Sequence, residues 1–357
     1  MTHRPPRSRP LVVINAALRV GKKVVPWIPP WLKRLLVGGK RLTIDGNTLD
    51  PTLQLILAAQ RSTGTGGLSA ADDPAAARAL MRSSHALLGT DVDVPTADIT
   101  IPGPGGPVRT RHYRPTAAGA PLLVFFHGGG FVVGDIESHD GLCRMICKDA
   151  AIHVLSVDYR LAPEHKAPAA LDDCVAAYRW ALEHAAELGA DQSRIGVGGD
   201  SAGGNLATLV ALRSREEGIP QPALQVLLYP VLDMSTQTRS RAMFSDGFFL
   251  SKRDTDWFRD AYLGGAGMAA DDPQISPLKA ADLSGLAPAL VLTAGFDPLR
   301  DEGNQYAAAL RSAGVTVDHR QFDSLTHGFA SIAPFGGDSA AAVTATISAI
   351  RAHLSRG

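Results

Sequence analysis

Gly199-Asp200-Ser201-Ala202-Gly203 follows the strand-like run Ser193-Arg194-Ile195-Gly196-Val197-Gly198. It leads into the helix-prone run Gly204-Asn205-Leu206-Ala207-Thr208-Leu209-Val210-Ala211-Leu212. A strand, a sharp turn and a helix are what a G-x-S-x-G elbow requires, because glycines on both sides of the serine permit a crowded turn that exposes the hydroxyl. The bare pattern also describes an ordinary glycine-rich turn, so its meaning depends on what surrounds it. Ser201 is the first candidate nucleophile. An alcohol is a weak nucleophile alone and needs a base, an acid to orient the base, and donors for the oxyanion.

In an α/β-hydrolase arrangement the chain order is Ser, then Asp or Glu, then His. Three histidines deserve comparison as bases: His319, His327 and His353. His319 falls inside the strand-like run Val315-Thr316-Val317-Asp318-His319-Arg320-Gln321-Phe322, and His353 sits near the end of the last helical run. His327, in Ser324-Leu325-Thr326-His327-Gly328-Phe329, is on a loop after a strand, where scaffolds carry catalytic groups. For the acid, Ala289-Leu290-Val291-Leu292-Thr293-Ala294-Gly295-Phe296 reads as a buried parallel strand, and Asp297 is the first carboxylate past its end. Asp301 and Glu302 compete, but they fall in the first turn of a helix, where an acid favours the helix dipole. Asp297 is assigned as the orienting acid, with Asp301 second.

The oxyanion hole should combine the N–H of Ala202 with donors from an earlier glycine-rich loop. The apolar run Leu122-Leu123-Val124-Phe125-Phe126 ends in His127-Gly128-Gly129-Gly130-Phe131, where three glycines let the backbone approach a bound carbonyl. A linker would be polar and long, and this triplet is wedged between apolar runs. His127 reads as a hydrogen-bonding prop for the loop.

With these motifs in view, the chain resembles the hormone-sensitive-lipase-like (bacterial family IV) carboxylesterases of the α/β-hydrolase superfamily. The resemblance is carried by His127-Gly128-Gly129-Gly130, Asp158-Tyr159-Arg160-Leu161-Ala162-Pro163-Glu164-His165, Gly199-Asp200-Ser201-Ala202-Gly203, Asp297-Pro298-Leu299-Arg300-Asp301-Glu302-Gly303 and His327-Gly328-Phe329. It implies a Ser201, Asp297, His327 triad with Gly129, Gly130 and Ala202 as oxyanion donors. The first eighty residues carry the least of it. In the family an N-terminal part and a later insertion form a cap over the site.

The 357 residues balance 35 basic against 35 acidic side chains, which argues against the basic footprint of a nucleic-acid binder. Cys143, Cys147 and Cys174 form a sparse, odd set that fits a reducing compartment, so a cytoplasmic location is expected, with membrane association as the alternative. The i, i+4 pair Cys143 and Cys147 reads as two small core residues. Charge is uneven: residues 1–44 hold ten Lys and Arg and no acid. Among them lie Leu11-Val12-Val13-Ile14-Asn15-Ala16-Ala17-Leu18 and Trp27-Ile28-Pro29-Pro30-Trp31-Leu32. The first run is too short to span a bilayer, and no convincing cleavage site follows it. The segment reads first as an amphipathic flap packed on the enzyme. The second reading is a peripheral membrane contact with aromatic anchors.

Asp50-Pro51 predicts a capped helix through Leu53, Leu55, Ile56 and Leu57, followed by a loop at 62–67 and a helix from Asp73 to Leu88. An early strand is expected at Val108–Arg114. Further strands are expected at 122–126, 152–158, 194–198, 224–229, 289–295 and 315–322, with helices near 140–150, 171–188, 202–217, 301–313 and 337–354. That alternation means a mostly parallel α/β-hydrolase sheet with helices on both faces and a helical cap. The expected organisation is an N-terminal cap or flap over 1–90 and a catalytic domain over 91–357 with a cap insertion at about 232–280. The insertion's aromatics include Phe248, Phe249, Trp257 and Phe258. Phe131, Phe248 and Phe249 are the expected substrate contacts, and Trp27 and Trp31, together with Phe248, Phe249, Trp257 and Phe258 of the insertion, are expected to roof the strand ends where Ser201 and His327 meet. Arg160 and Glu164 are expected to make buried ion pairs that hold the oxyanion loop.

The function expected is a serine carboxylesterase acting on short- to medium-chain acyl esters through an acyl-enzyme, with no cofactor and no metal. Lipase action, or amide, lactone or carbamate hydrolysis on the same triad, is the alternative. A non-catalytic ligand receptor ranks last because His327 is present. The chain is expected to act as a monomer or homodimer on a small-molecule ester.

Overall fold

The computed structural model describes residues 20–63, 73–89 and 92–355. The apolar run at 11–18 and the expected loop at 64–67 lie outside them. The strands are β1 (Thr43–Ile44), β2 (Asn47–Thr48), β3 (Thr96–Gly103), β4 (Gly106–Tyr113), β5 (Ala120–Phe126), β6 (His153–Asp158), β7 (Ala190–Asp200), β8 (Gln225–Leu228), β9 (Ala289–Phe296) and β10 (Val317–Thr326). The helices are α1 (Pro30–Leu36), α2 (Pro51–Thr63), α3 (Pro74–Leu88), α4 (Ile136–Ala150), α5 (Ala169–His184), α6 (Ala202–Glu216), α7 (Arg239–Met243), α8 (Lys252–Leu263), α9 (Arg300–Ser312), α10 (Phe329–Ile332) and α11 (Gly337–Leu354).

β1 and β2 form a small hairpin, and the other eight strands form one sheet in the order β10-β9-β8-β7-β5-β6-β4-β3. β5 to β10 pair in parallel, while β3, β4 and β6 pair antiparallel at one edge. This is the α/β-hydrolase fold that the alternation of apolar strands and amphipathic helices calls for. Every residue of β5 and of β9 is buried, as strands covered on both faces must be. Alternate residues feed two cores: Leu122, Val124 and Phe126 pack with Leu171, Tyr178, Leu206 and Tyr306 from α5, α6 and α9. Leu123 and Phe125 pack with Leu53, Cys143, Ile146 and Ile350 from α2, α4 and α11 on the opposite face. All three cysteines are buried and free.

The strand order reverses at β5: β6 lies on one side of it and β7, β8, β9 and β10 on the other. Loops leaving β5 and β7 therefore diverge and open a crevice at the carboxyl ends of the sheet. That crevice is bounded by the His127 loop and the Ser201 turn, since Phe126 pairs with Gly199 in the register. At the other edge Phe296 pairs with Thr326, so Asp297 and His327 leave neighbouring strands side by side.

Several local expectations shift. β7 begins at Ala190, earlier than its apolar run, and β3 pairs with β4 although its exposed face hides it from a search for buried runs. α4 begins at Ile136 because Asp135 and Ser138 form a reciprocal capping box. Asp50 caps α2 as expected, its carboxylate accepting from the N–H of Thr52 (2.7 Å) and Leu53 (3.0 Å), and α2 continues to Thr63. No strand intervenes between Leu228 and Ala289, where α7 and α8 lie.

The expectation that Trp27 and Trp31 roof the pocket is corrected. Their side chains are 86% and 64% exposed, because α1 turns Lys33 inward, where its Nζ reaches Thr52 Oγ1 at 2.9 Å.

Candidate active site

Ser201 occupies the turn between β7 and α6 with φ 55° and ψ −114°, a backbone conformation that few side chains tolerate and that stores strain at a half-buried serine. The turn is held from both sides. The Ser201 N–H donates to Leu228 O at 2.9 Å, and its carbonyl accepts from the N–H of Asn205 and Val231. A Cβ at Gly199 would lie 2.3 Å from Phe126 O, and one at Gly203 would lie 1.9 Å from the same atom. Glycine is therefore required on both flanks by the close passage of β5.

His327 Nε2 lies 2.9 Å from Ser201 Oγ, and His327 Nδ1 lies 2.9 Å from Asp297 Oδ2. A carboxylate only accepts, so Nδ1 carries a proton toward Asp297, and in that tautomer Nε2 is the nitrogen that can accept from the serine hydroxyl. Asp297 is buried, and its other oxygen accepts from the Leu299 N–H at 2.8 Å, which satisfies a carboxylate removed from water. The edge of Tyr229 meets the His327 ring, centroids 4.9 Å apart, which fixes the ring plane.

The competing residues have other employment. Asp301 Oδ2 accepts from the Ser240 N–H at 2.8 Å, facing the start of α7. Glu302 is fully buried and pairs with Arg241 while accepting from the Leu232 N–H at 2.8 Å; burial pushes its carboxyl up to about 7, against the pull of Arg241. His319 meets Thr293 Oγ1 at 3.1 Å, and His353 meets Asp318 at 2.9 Å.

The glycine loop lies beside the serine turn. Asp200 Oδ1 accepts from the Gly128 N–H at 2.8 Å, which commits that donor and leaves Gly129 and Gly130 as the remaining glycine donors of the loop. At the start of α6 the Ala202 N–H belongs to the first turn, whose donors lack intrahelical partners. The loop has no room for side chains: a Cβ at Gly129 would meet Val133 O at 2.2 Å, and one at Gly130 would enter the Phe258 ring. His127 stacks on Tyr159, donates through Nδ1 to Gly128 O at 2.8 Å, and its own carbonyl accepts from the Tyr159 hydroxyl at 2.6 Å. Burial pushes the His127 imidazole down to about 4, so it is neutral and serves as a prop.

Of two residues near the loop, one was not assigned a role from the sequence and the other was expected only as part of the cap. His139, in the first turn of α4, places Nε2 3.1 Å from Asp200, forming a buried pair beside the glycine loop. Burial works against the Asp200 carboxylate, but the His139 charge and the donated N–H hold it below the usual carboxylate range. The Asp200 side of this pair was visible within the elbow motif; nothing in the sequence marks His139 as its partner. Phe258, the second residue, covers Gly130, and the i, i+4 series Asp254, Phe258, Tyr262 that forms the buried face of α8 was the available signal.

The expected substrate contacts divide. Phe131 is buried and stacks on Tyr262 at 4.1 Å. Phe248 packs against Phe244 and Phe296 within the core, and Phe249 is half-buried with φ 67°. Arg160 reaches the buried Asp173 at 2.8 Å. The expected burial of Glu164 is corrected: it is 54% exposed and pairs with Arg78 at 2.7 Å, so water screens it. Arg78 is the stronger loop support, donating to Val132 O and Ala162 O, each at 2.7 Å.

A family profile described as the alpha/beta hydrolase fold, Abhydrolase_3, matches residues 123–331. The Carboxylic ester hydrolase LipN of Mycobacterium tuberculosis is 54% identical over 358 residues, spanning 98% of this chain and 95% of that protein. An Ethyl acetate hydrolase of Pseudomonas putida is 38% identical over 289 residues, 78% of this chain and 90% of its own. Among solved structures, the ester-hydrolase EH1AB1 from the metagenome of Lake Arreo, complexed with a derivative of bipyridine phosphonate, superposes with a TM-score of 0.80 at 42% identity. It covers 85% of this chain and 97% of its own.

Proposed function

The chain belongs to the Abhydrolase_3 family of the alpha/beta hydrolase fold, as the hormone-sensitive-lipase-like motifs imply, and is a carboxylic ester hydrolase; from that premise we propose that it cleaves short- to medium-chain acyl esters through Ser201, His327 and Asp297. The observation that carries this reading is the continuous line from Asp297 Oδ2 to His327 to Ser201 Oγ, with both contacts at 2.9 Å. Each member stands at the carboxyl end of a different parallel strand. In the first step Ser201 Oγ attacks the ester carbonyl while His327 Nε2 takes the hydroxyl proton. The developing oxyanion is received by the N–H groups of Gly129, Gly130 and Ala202. His327 then returns the proton to the leaving alcohol, and water, deprotonated by the same ring, releases the acid from the acyl-serine. Asp297 holds the ring in the required tautomer and stabilises its charged form.

The acyl chain is assigned to the apolar surface around the glycine loop, with Phe258 over Gly130 and Phe131 backed by Tyr262. Phe249 remains a proposed contact, whereas Phe248 is better explained as packing for the strand that presents Asp297. A bounded apolar site gains about 0.8 kcal/mol for each methylene it buries, roughly fourfold in kcat/KM, until the chain outgrows it. For p-nitrophenyl esters from acetate to palmitate, kcat/KM should therefore rise and then fall, with an amide analogue far slower. Preference for palmitate or emulsified triolein would overturn the bounded-site reading in favour of a lipase. Equal turnover of the amide would overturn the assignment of substrate class.

A further inference from the structure

The N-terminal segment is packed with both tryptophans outward and a lysine inward. The side chain of α1 that is buried against the body is a cation, Lys33, 3% exposed and bonded to Thr52 Oγ1 beside the carboxylate of Asp50. Leu32 is half-buried, but the other large apolar side chains point the other way: Trp31, Leu35 and Leu36 are exposed, as are Trp27, Val24 and Val20 before them. Trp27, Trp31 and Leu35 recur every four residues. A helix held only by burial of its apolar stripe would turn these rings onto α2 and leave Lys33 in water. The exposed face is therefore presented outward by a specific polar anchor. Contiguous apolar surface of this kind on an otherwise soluble fold marks an interaction site.

Charge selects among occupants. Residues 1–44 carry ten basic and no acidic side chains against 25 basic and 35 acidic in the rest of the chain; of the ten, Lys22, Lys23, Lys33, Arg34, Lys40 and Arg41 lie among the described residues, so the apolar face belongs to a stretch with cations and no acid. Lys23, Lys40 and Arg41 are exposed around it. A second copy docking through the same face would bring the two sets of exposed cations together, which is unfavourable. A surface with negative headgroups over a hydrocarbon layer matches both features.

We propose that this face is a peripheral docking surface for an anionic phospholipid bilayer, with Trp27, Trp31, Leu35 and Leu36 entering the interface and Lys23, Lys40 and Arg41 meeting lipid phosphates. Among the described residues no helix is long and apolar enough to cross a membrane, so the contact lies in the plane of the surface. The segment rests on the chain that follows the catalytic histidine. Pro26 lies against Gly336 and Gly21 against the Phe335 ring, and the Asp50 N–H donates to Ser324 O at 3.0 Å. Docking thus brings the lipid surface to the side of the enzyme that carries the His327 loop. This surface is independent of the triad.

The test sediments the intact protein with vesicles of phosphatidylcholine alone and of phosphatidylcholine with phosphatidylglycerol, at low and high salt. The comparison is Trp27→Ser/Trp31→Ser/Leu35→Ser, whose substituted side chains are all exposed. Circular dichroism and thermal melting verify its fold without reference to catalysis. Expected are about tenfold or stronger partition onto the anionic vesicles than onto the neutral ones, weakening in salt, and a loss of about tenfold or more in the triple variant. Failure of the intact protein to sediment with anionic vesicles overturns the proposal, as does equal sedimentation of the folded variant. So does light scattering that finds an intact dimer converted to a monomer by the three substitutions, since a second copy would then cover the face.

Discussion

Ser201→Ala should yield a folded protein whose kcat for a p-nitrophenyl ester is lower by roughly a millionfold, the loss found when the nucleophile of a serine triad is removed. The fold should persist because the turn is built by the backbone. The Ser201 N–H still reaches Leu228 O, the flanking glycines still clear Phe126 O, and alanine adopts the φ of 55° no less easily than serine does. Thermal melting should shift by no more than a surface substitution does, equivalent to within about 1 kcal/mol. The residual rate comes from the oxyanion donors and binding. Retention of most of the activity in a cleanly folded variant would remove Ser201 from the mechanism.

Asp297→Asn should lower kcat by about 10⁴-fold with the fold intact, whereas Asp301→Asn should cost less than about tenfold. The asymmetry follows from the hydrogen bonds. An asparagine at 297 can keep its oxygen on the Leu299 N–H, which turns its amide NH₂ toward His327 Nδ1. Nδ1 must then accept, the ring proton moves to Nε2, and Nε2 can no longer take the proton of Ser201. Asp301 faces the Ser240 N–H and the Arg300 guanidinium, so its substitution weakens the seating of α7 on α9 and leaves the imidazole untouched. Steady-state kinetics of both variants on one short-chain ester check the ranking, and the reverse order would transfer the acid role to Asp301.

The parts of the fold legible in the sequence were those in which one segment carries its own signal. β5 and β9 are continuous apolar runs because both faces are covered, and the motifs at their ends fall in the crevice that the strand order creates. His327 could be separated from His319 and His353 because a loop position differs from a strand or helix position in the pattern itself. What the sequence hid were partners. Asp200 and His139 are 61 residues apart and meet only because β7 and α4 flank the same loop. Glu164 looked like a buried ion-pair member, but its partner Arg78 lies on α3 near the surface. Phe248 and Phe258 are equivalent in composition. Only the packing of α8 puts Phe258 on Gly130, while Phe244 and Phe296 claim Phe248. Trp27 and Trp31 were misread for a related reason: amphipathic spacing shows that a face exists and is silent about which way a buried Lys33 turns it.

The central claim, that a single serine activated by His327 forms the covalent intermediate, is tested most directly by reacting the protein with diethyl p-nitrophenyl phosphate and mapping the adduct by peptide mass spectrometry. The account predicts one phosphoryl group per chain, on Ser201, with loss of esterase activity in parallel and no labelling of Ser201→Ala. An adduct on another residue that tracks the loss of activity, or full esterase activity in a protein quantitatively labelled at Ser201, would contradict it.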